Sequence, residues 1–188
     1  MADVLYDGSG QLAGKPVRYR DMGDGSWALV NDIGGSFADV ATITRPDNAT
    51  PYTGNDVVGA AAAALEFTLG PASGAEVIIT GASLEIDVAA VPAGMTAFRL
   101  HLYNVTPPSA RADNAAFDLP AGDRAAYLGY IDLGTIEDLG STLFTAQDGL
   151  NKPVTLASAS LFAYLTTVGA YTPTAQAVKK VTLHTVRP

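Results

Sequence analysis

The sequence of 188 residues has no cysteine, which excludes disulfides, thiolate metal sites and cysteine nucleophiles together. It also has few cations, because 11 Lys and Arg stand against 19 Asp and Glu and leave a formal charge of -8. The basic residues are scattered, and an acidic chain without a basic cluster repels phosphate backbones. We therefore expect no direct binding of nucleic acid.

Long apolar runs are absent as well, since no window approaches about 18 apolar residues and the start, MADVLYDGSGQ, lacks the segments of a signal peptide. We expect no membrane partner and synthesis in the cytoplasm. The chain also lacks G-x-S-x-G, P-loop, H-E-x-x-H and G-x-G-x-x-G motifs. The sequence therefore predicts no enzyme, no cofactor and no metal site.

What the chain does have is 19 glycines and 11 prolines that separate short apolar runs. Many of these runs alternate apolar and polar residues with the period of a β-strand, so we predict about eight strands. Regular short strands favour an all-β fold, an antiparallel β-sandwich of jelly-roll type. The predicted strands lie near 56–58, 65–69, 77–88, 98–104, 126–133, 152–157, 161–168 and 179–186.

We predict that residues 38–188 form the sandwich and that residues 1–37, two short apolar bursts separated by MGDG, form an N-terminal extended arm or hairpin. The run at 60–67 contains five alanines but is too short for a lone helix, so it predicts a helical turn or a strand entry. The segment 104–125 is a loop long enough to be functional or disordered. The predicted core includes Leu84, Ile86, Phe98, Leu100, Leu102, Leu128, Tyr130, Leu161 and Leu183.

The stretch FRLHLYN places Arg99, His101 and Tyr103 on one side of a strand, opposite the apolar side chains. Alternation alone favours a solvated strand face for these three residues. A two-histidine zinc site with His184 across paired strands is the alternative, but it would need further ligands that the sequence does not identify.

Two acidic groups also have the residue types of known sites. Glu85 and Asp87 share a strand face, as the carboxylates of glycosidases do, but a solvated face is favoured because nothing supplies a partner. Asp21 and Asp24 in RDMGDGS lack the spacing of a calcium loop, so a tight turn is the simpler interpretation.

Three stretches resemble a group of phage proteins: RDMGDGSWALV (20–30), TRPDNATPYTGNDVVG (44–59), and FRLHLYNVTPPSARADNAAFDLP with AAYLGYIDL (98–133). They are similar to small structural proteins of tailed-bacteriophage virions, in particular capsid decoration or cement proteins. The resemblance implies a β-sandwich on the surface of a capsid or tail, in a virion assembled in a bacterial host, with the major capsid protein as its partner.

If that resemblance holds, the protein binds and stabilises the outer surface of the shell. A tail, baseplate or receptor-binding protein is the second interpretation, and a carbohydrate-binding or carbohydrate-active jelly roll is the third. Self-association is expected, with a homotrimer narrowly favoured over a dimer. The arm is the favoured contact and the FRLHLYN face the alternative, so the predicted partner-binding residues are Tyr6, Arg18, Tyr19, Arg20, Trp27, Arg99, His101 and Tyr103.

Overall fold

The computed structural model describes residues 35–59, 63–70 and 73–187, together with the backbone of 18–21 and 27–30. The chain divides between Gly35 and Ser36 into two units, two residues before the predicted boundary. In chain order the strands are β1 (Arg18–Asp21), β2 (Trp27–Val30), β3 (Ser36–Thr44), β4 (Val57–Val58), β5 (Leu65–Thr68), β6 (Glu76–Ile86), β7 (Ala97–Tyr103), β8 (Tyr127–Thr135), β9 (Glu137–Asp138), β10 (Leu143–Thr155), β11 (Ser160–Thr167) and β12 (Val178–Val186).

In the first unit, β1 and β2 pair as an antiparallel ribbon. In the second unit, one sheet has the order β3-β12-β6-β10-β9, and the other has β4-β11-β7-β8 with β5 also pairing β11. β4 and β5 lie along successive parts of β11, so they act as one interrupted strand. Counting that strand once and omitting β9, the two sheets read 1-8-3-6 and 2-7-4-5, which is the strand order of a jelly roll. The predicted fold is confirmed.

Strands of both sheets alternate buried and exposed residues, and their buried faces meet in one hydrophobic core. The apolar residues of FRLHLYN lie at its centre, because Phe98, Leu100 and Leu102 are all fully buried. Burial of the predicted core residues is also confirmed at Leu84, Ile86, Leu161 and Leu183, while Leu128 is partly buried against the same core.

Tyr130 is the one predicted core residue that the structure places outside, with 48% of its surface exposed. The reason is a bulge in β8, where the register with β7 shifts between the pair His101↔Tyr130 and the pair Tyr103↔Tyr127. Gly129 adopts a φ of 89° there, a left-handed conformation that suits glycine. The extra residue inverts the alternation, so Leu128 points inward and Tyr130 outward.

Two strands differ from the predicted pattern. β3 (Ser36–Thr44) was not among the predicted strands, and its first two residues fall in the predicted arm. β10 runs over 13 residues, although only residues 152–157 were predicted as a strand there, and its register with β6 shifts between Asp148 and Lys152. In both cases pairing with a long neighbouring strand overrides a weak local signal.

Helix is nearly absent from the described part of the chain, which contains one short 3-10 turn at Ala121–Asp123. Residues 65–67 of the alanine-rich run lie in β5, and residues 60–62 lie outside the described residues, as does most of the predicted arm. No described helix has the length and apolar character needed to cross a membrane.

Candidate partner-binding face

The outer face of the second sheet carries the three residues singled out in FRLHLYN. Register places Arg99 beside Thr166 and Asp132, and His101 beside Tyr164 and Tyr130. The loop 104–126, which connects β7 to β8, packs over part of this face, and we call it the cover loop. The face is therefore divided into a covered part and an exposed part.

His101 lies under the cover loop with 5% of its surface exposed. Its Nδ1 is 2.9 Å from the hydroxyl of Tyr127 and its Nε2 is 3.2 Å from Oγ1 of Thr166. Phe117 of the cover loop stacks on the imidazole with 3.8 Å between ring centroids. Burial, with smaller contributions from Arg99 and Arg111, lowers the pKa of His101 from 6.5 to about 4. His101 is therefore neutral at neutral pH.

The prediction of a solvated face is thus wrong for His101 and Tyr103, and Tyr103 is fully buried. Tyr103 belongs to a second small cluster, outside the main core, with Val57, Ala126 and Tyr164. The physical reason is that alternation determines which face a side chain occupies but not what covers that face. Neither residue has the exposed surface that a partner would contact.

Within the cover loop, a buried ion pair joins Arg111 to Asp123, whose Nη2 and Oδ2 are 3.4 Å apart. The guanidinium of Arg111 also lies over the rings of Phe117 and Tyr164, 5.1 Å and 5.9 Å from their centroids. The hydroxyl of Tyr164 donates to the carbonyl of Ser109 at 3.2 Å. The loop is thus braced internally by charge, and Tyr164 connects it to the sheet through cation–π packing and hydrogen bonding.

A second ion pair holds the middle of the loop. Nη2 of Arg45 donates to Oδ2 of Asp113 at 3.1 Å, and the side chain of Arg45 is fully buried. Tyr52 donates its hydroxyl hydrogen to Asp113, and the amide of Gly59 donates to the same carboxylate oxygen at 3.1 Å. Burial and the hydrogen bond to Asp113 raise the pKa of Tyr52 above its ordinary range.

Lys179 is a further buried cation on β12, with 1% of its surface exposed. It is in none of the three ion pairs found among the described residues, which are Arg45–Asp113, Arg99–Asp132 and Arg111–Asp123. Burial, followed by the nearby charge of Arg45, lowers the pKa of the Lys179 ammonium to about 8. Its position in the interior makes it a structural feature and not part of the exposed face.

The exposed part of the second sheet's outer face carries Arg99, Tyr130 and Asp132, which we call the exposed patch. Nε of Arg99 donates to Oδ1 of Asp132 at 2.7 Å, and the two side chains are 38% and 60% exposed. The guanidinium lies 5.1 Å from the ring centroid of Tyr130. Tyrosine and arginine are the residue types enriched where partners bind most strongly.

The sequence pointed to Arg99 but missed Tyr130 and Asp132 as its neighbours on this face. The available signal was Gly129, an isolated glycine inside a strand pattern, which is typical of a bulge. A bulge at that position would have moved Tyr130 from the predicted core to the face of Arg99.

The other predicted residues are placed as follows. The side chains of Arg18, Tyr19, Arg20 and Trp27, and the whole of Tyr6, lie outside the described residues, so these partner predictions stay predictions. The side chains of Asp21 and Asp24 lie outside them too. His101 and His184 belong to different sheets, so they cannot form a site across paired strands.

Glu85 and Asp87 are both exposed, as predicted, and line a pocket of about 270 Å³ with Thr142, Val178 and Lys180. Among the described residues, no group of three or more His, Asp or Glu side chains is arranged to hold a metal ion.

Comparison with known proteins gives no family model that matches and no curated protein that matches. The solved structures with which the chain aligns include structures of viruses. Among them are a T13 particle of IBDV (11% identity, 91% of this chain and 37% of that chain, TM-score 0.34), the Israel acute paralysis virus pentamer (12%, 83% and 89%, TM-score 0.29) and rhinovirus-B5 (14%, 99% and 86%, TM-score 0.28). The chain thus spans little more than a third of the first. At these identities and TM-scores, the alignments carry no argument on family or function.

Proposed function

We propose that this protein is a bacteriophage capsid decoration protein that binds the outer surface of the major capsid shell and stabilises it. The observation that carries the proposal is the exposed patch, an Arg99–Tyr130–Asp132 group on the outer face of the second sheet, beside the buried His101. The role agrees with the resemblance of three sequence stretches to virion structural proteins. It requires no catalytic step and no cofactor.

The anchoring of the cover loop supports this role. One buried ion pair joins Arg111 to Asp123 within the loop, and another joins Asp113 of the loop to Arg45, which follows β3. A patch on a fixed support loses little conformational entropy when it binds, so more of its contact energy is available for affinity. A protein that must hold neighbouring capsid subunits together needs a support of this kind.

The chemistry of the patch also suits a protein partner. Tyr130 offers an aromatic surface with few rotatable bonds, and Arg99 offers a planar cation in a chain whose formal charge is -8. The Arg99–Asp132 ion pair is solvent-exposed, so exchanging it for a pair with a partner costs little. We therefore expect the partner surface to combine an acidic group with an apolar recess.

The experiment measures binding of purified full-length protein to phage capsids from which the protein has been stripped. Tyr130→Ala and Arg99→Glu should each reduce the bound copies by about tenfold or more, as loss of a strong contact residue does. Leu139→Ala is the matched control, because Leu139 is 63% exposed and lies away from the second sheet's outer face. It should bind like the unchanged protein, and all variants should keep the same melting transition.

Two outcomes would redirect the proposal. If Trp27→Ala or Tyr6→Ala releases the protein while Tyr130→Ala does not, the N-terminal arm is the contact. If quantitative gels of virions find a handful of copies instead of hundreds, the protein belongs to the tail or baseplate, and a receptor-binding role replaces decoration.

A further inference from the structure

In the described part of the chain, outward residues of the first sheet such as Val40, Lys180 and Glu85 are exposed, and we call its surface over β3, β12, β6 and β10 the open face. Its central row is Val40, Thr182, Ser83 and Ala146, which are paired side by side across the four strands. All four side chains are small or β-branched and uncharged, and all are at least partly exposed, with Val40 at 50%. The centre of the open face is therefore flat and free of charge.

The next row of the open face carries two opposite charges on neighbouring strands. Lys180 of β12 pairs in register with Glu85 of β6, and Thr42 and Phe144 continue the row on either side. Lys180 and Glu85 are both exposed, and neither belongs to an ion pair among the described residues. Both charges are thus available to a partner.

This arrangement is complementary to itself. A two-fold axis that runs parallel to the strands between β12 and β6 places β12 of one copy over β6 of the other. Lys180 then faces Glu85 of the second copy, and the symmetry makes this contact twice. In the central row, Thr182 faces Ser83, and Val40 faces Ala146. Two sheets that stack in this way keep their strands within about 30° of each other.

We propose that a second copy of this chain packs face to face on the open face and forms a two-fold dimer. The inference goes beyond capsid binding and uses the opposite sheet from the exposed patch. A contact of this symmetry closes with two copies, whereas the sequence narrowly favoured a trimer. Small side chains in the central row let the two sheets approach to about 10 Å, the usual distance of stacked sheets.

The size of the open face sets the strength of the dimer. Four strands about 4.8 Å apart and about nine residues long, at about 3.3 Å per residue, cover roughly 500 Å² in plan on each copy. The two copies together then bury about 1,000 Å², the lower limit for a specific interface. We therefore expect a dimer that dissociates on dilution.

The test is sedimentation equilibrium of the full-length protein over a range of concentrations. The unchanged protein should shift from monomer to dimer mass as concentration rises. Thr182→Arg should stay monomeric, because two large cations would meet in the central row. Lys180→Glu should raise the dissociation constant about tenfold or more, since it places like charges opposite each other twice. The double exchange Lys180→Glu with Glu85→Lys should restore dimerisation.

Arg99→Glu is the control for the other sheet, and it should dimerise like the unchanged protein. The proposal is overturned if the unchanged protein remains a monomer at its highest soluble concentration. It is equally overturned if a dimer forms that Thr182→Arg does not weaken, or that Arg99→Glu abolishes, because another surface then makes the contact. Failure of the double exchange to recover the loss would show that Lys180 and Glu85 do not face each other.

Discussion

The two outer faces of this sandwich differ in what lies on them, although their strands alternate in the same way. On the first sheet, outward residues such as Thr182 and Ser83 remain accessible. On the second sheet, the outward residues His101 and Tyr103 are buried. Strand alternation alone would treat these positions as equivalent, so the difference must come from outside the strands.

The difference comes from the cover loop and its two carboxylates. Asp113 and Asp123 each meet a buried arginine, and the loop carries Phe117 onto the ring of His101. On the open face, the charged residues Lys180 and Glu85 stay exposed among the described residues. A strand face becomes core only when a connecting segment supplies both apolar cover and partners for the buried charges.

The strongest test of this comparison removes one of those partners. Asp123→Ala should lower the free energy of unfolding by about 3 to 5 kcal/mol, because it leaves the guanidinium of Arg111 buried without its counter-ion. Glu85→Ala on the open face should change the same quantity by less than about 0.5 kcal/mol. Urea denaturation of both variants measures the two values. Equal losses in the free energy of unfolding would mean that the Arg111–Asp123 ion pair does not stabilise the cover loop.

The two histidines offer a pH test of the same contrast, since His101 is covered and His184 is exposed. The folded pKa of His101 is about 4 against an ordinary value of 6.5. Between these values the unfolded chain binds a proton that the folded chain does not, so stability falls as pH drops from 6.5 towards 4. A tenfold change in proton affinity corresponds to about 1.4 kcal/mol, so the loss approaches about 3 kcal/mol.

Denaturation curves at several pH values measure this loss, and NMR titration of the imidazole signals measures the pKa directly. His101→Gln should remove most of the pH dependence in this window. A titration of His101 near 6.5 in the folded protein would contradict the burial described above.

Much of the fold could be predicted from the sequence because jelly-roll strands carry a strong local signal. Alternation identified Leu84, Ile86 and Leu100 as core, and glycines and prolines marked most of the turns. β3 was missed because its first residues, Ser36 to Asp39, are polar, small or exposed and resemble the preceding arm. Its strand character depends on pairing with β12, nearly 150 residues later along the chain.

The candidate site could be predicted only in part. Arg99 is visible in FRLHLYN, but the ion pair that fixes the cover loop joins Arg45 to Asp113, which are 68 residues apart in the chain. No local pattern distinguishes Asp113 from Asp118, an exposed aspartate five residues later. Strict alternation with Leu128 predicted Tyr130 to be in the core. The bulge at Gly129 reverses the alternation, so Tyr130 points outward instead.

The smallest expected effect on stability comes from the hydroxyl of Tyr103, on the outer face of the second sheet. The hydroxyl of Tyr103 is buried and has no hydrogen-bond partner in the described part of the protein. Tyr103→Phe therefore removes an unsatisfied polar group, and stability should stay constant or rise by up to about 1 kcal/mol.

Tyr164→Phe is the matched control, because the Tyr164 hydroxyl donates to Ser109 and accepts from the amide of Arg111 at 3.3 Å. Its loss should cost about 1 to 2 kcal/mol, since two backbone groups of the cover loop lose their partner. Thermal and urea denaturation of the two variants measure whether their changes in stability have opposite signs. If Tyr103→Phe lowers the free energy of unfolding more than Tyr164→Phe does, the Tyr103 hydroxyl has a hydrogen-bond partner, and this prediction is wrong.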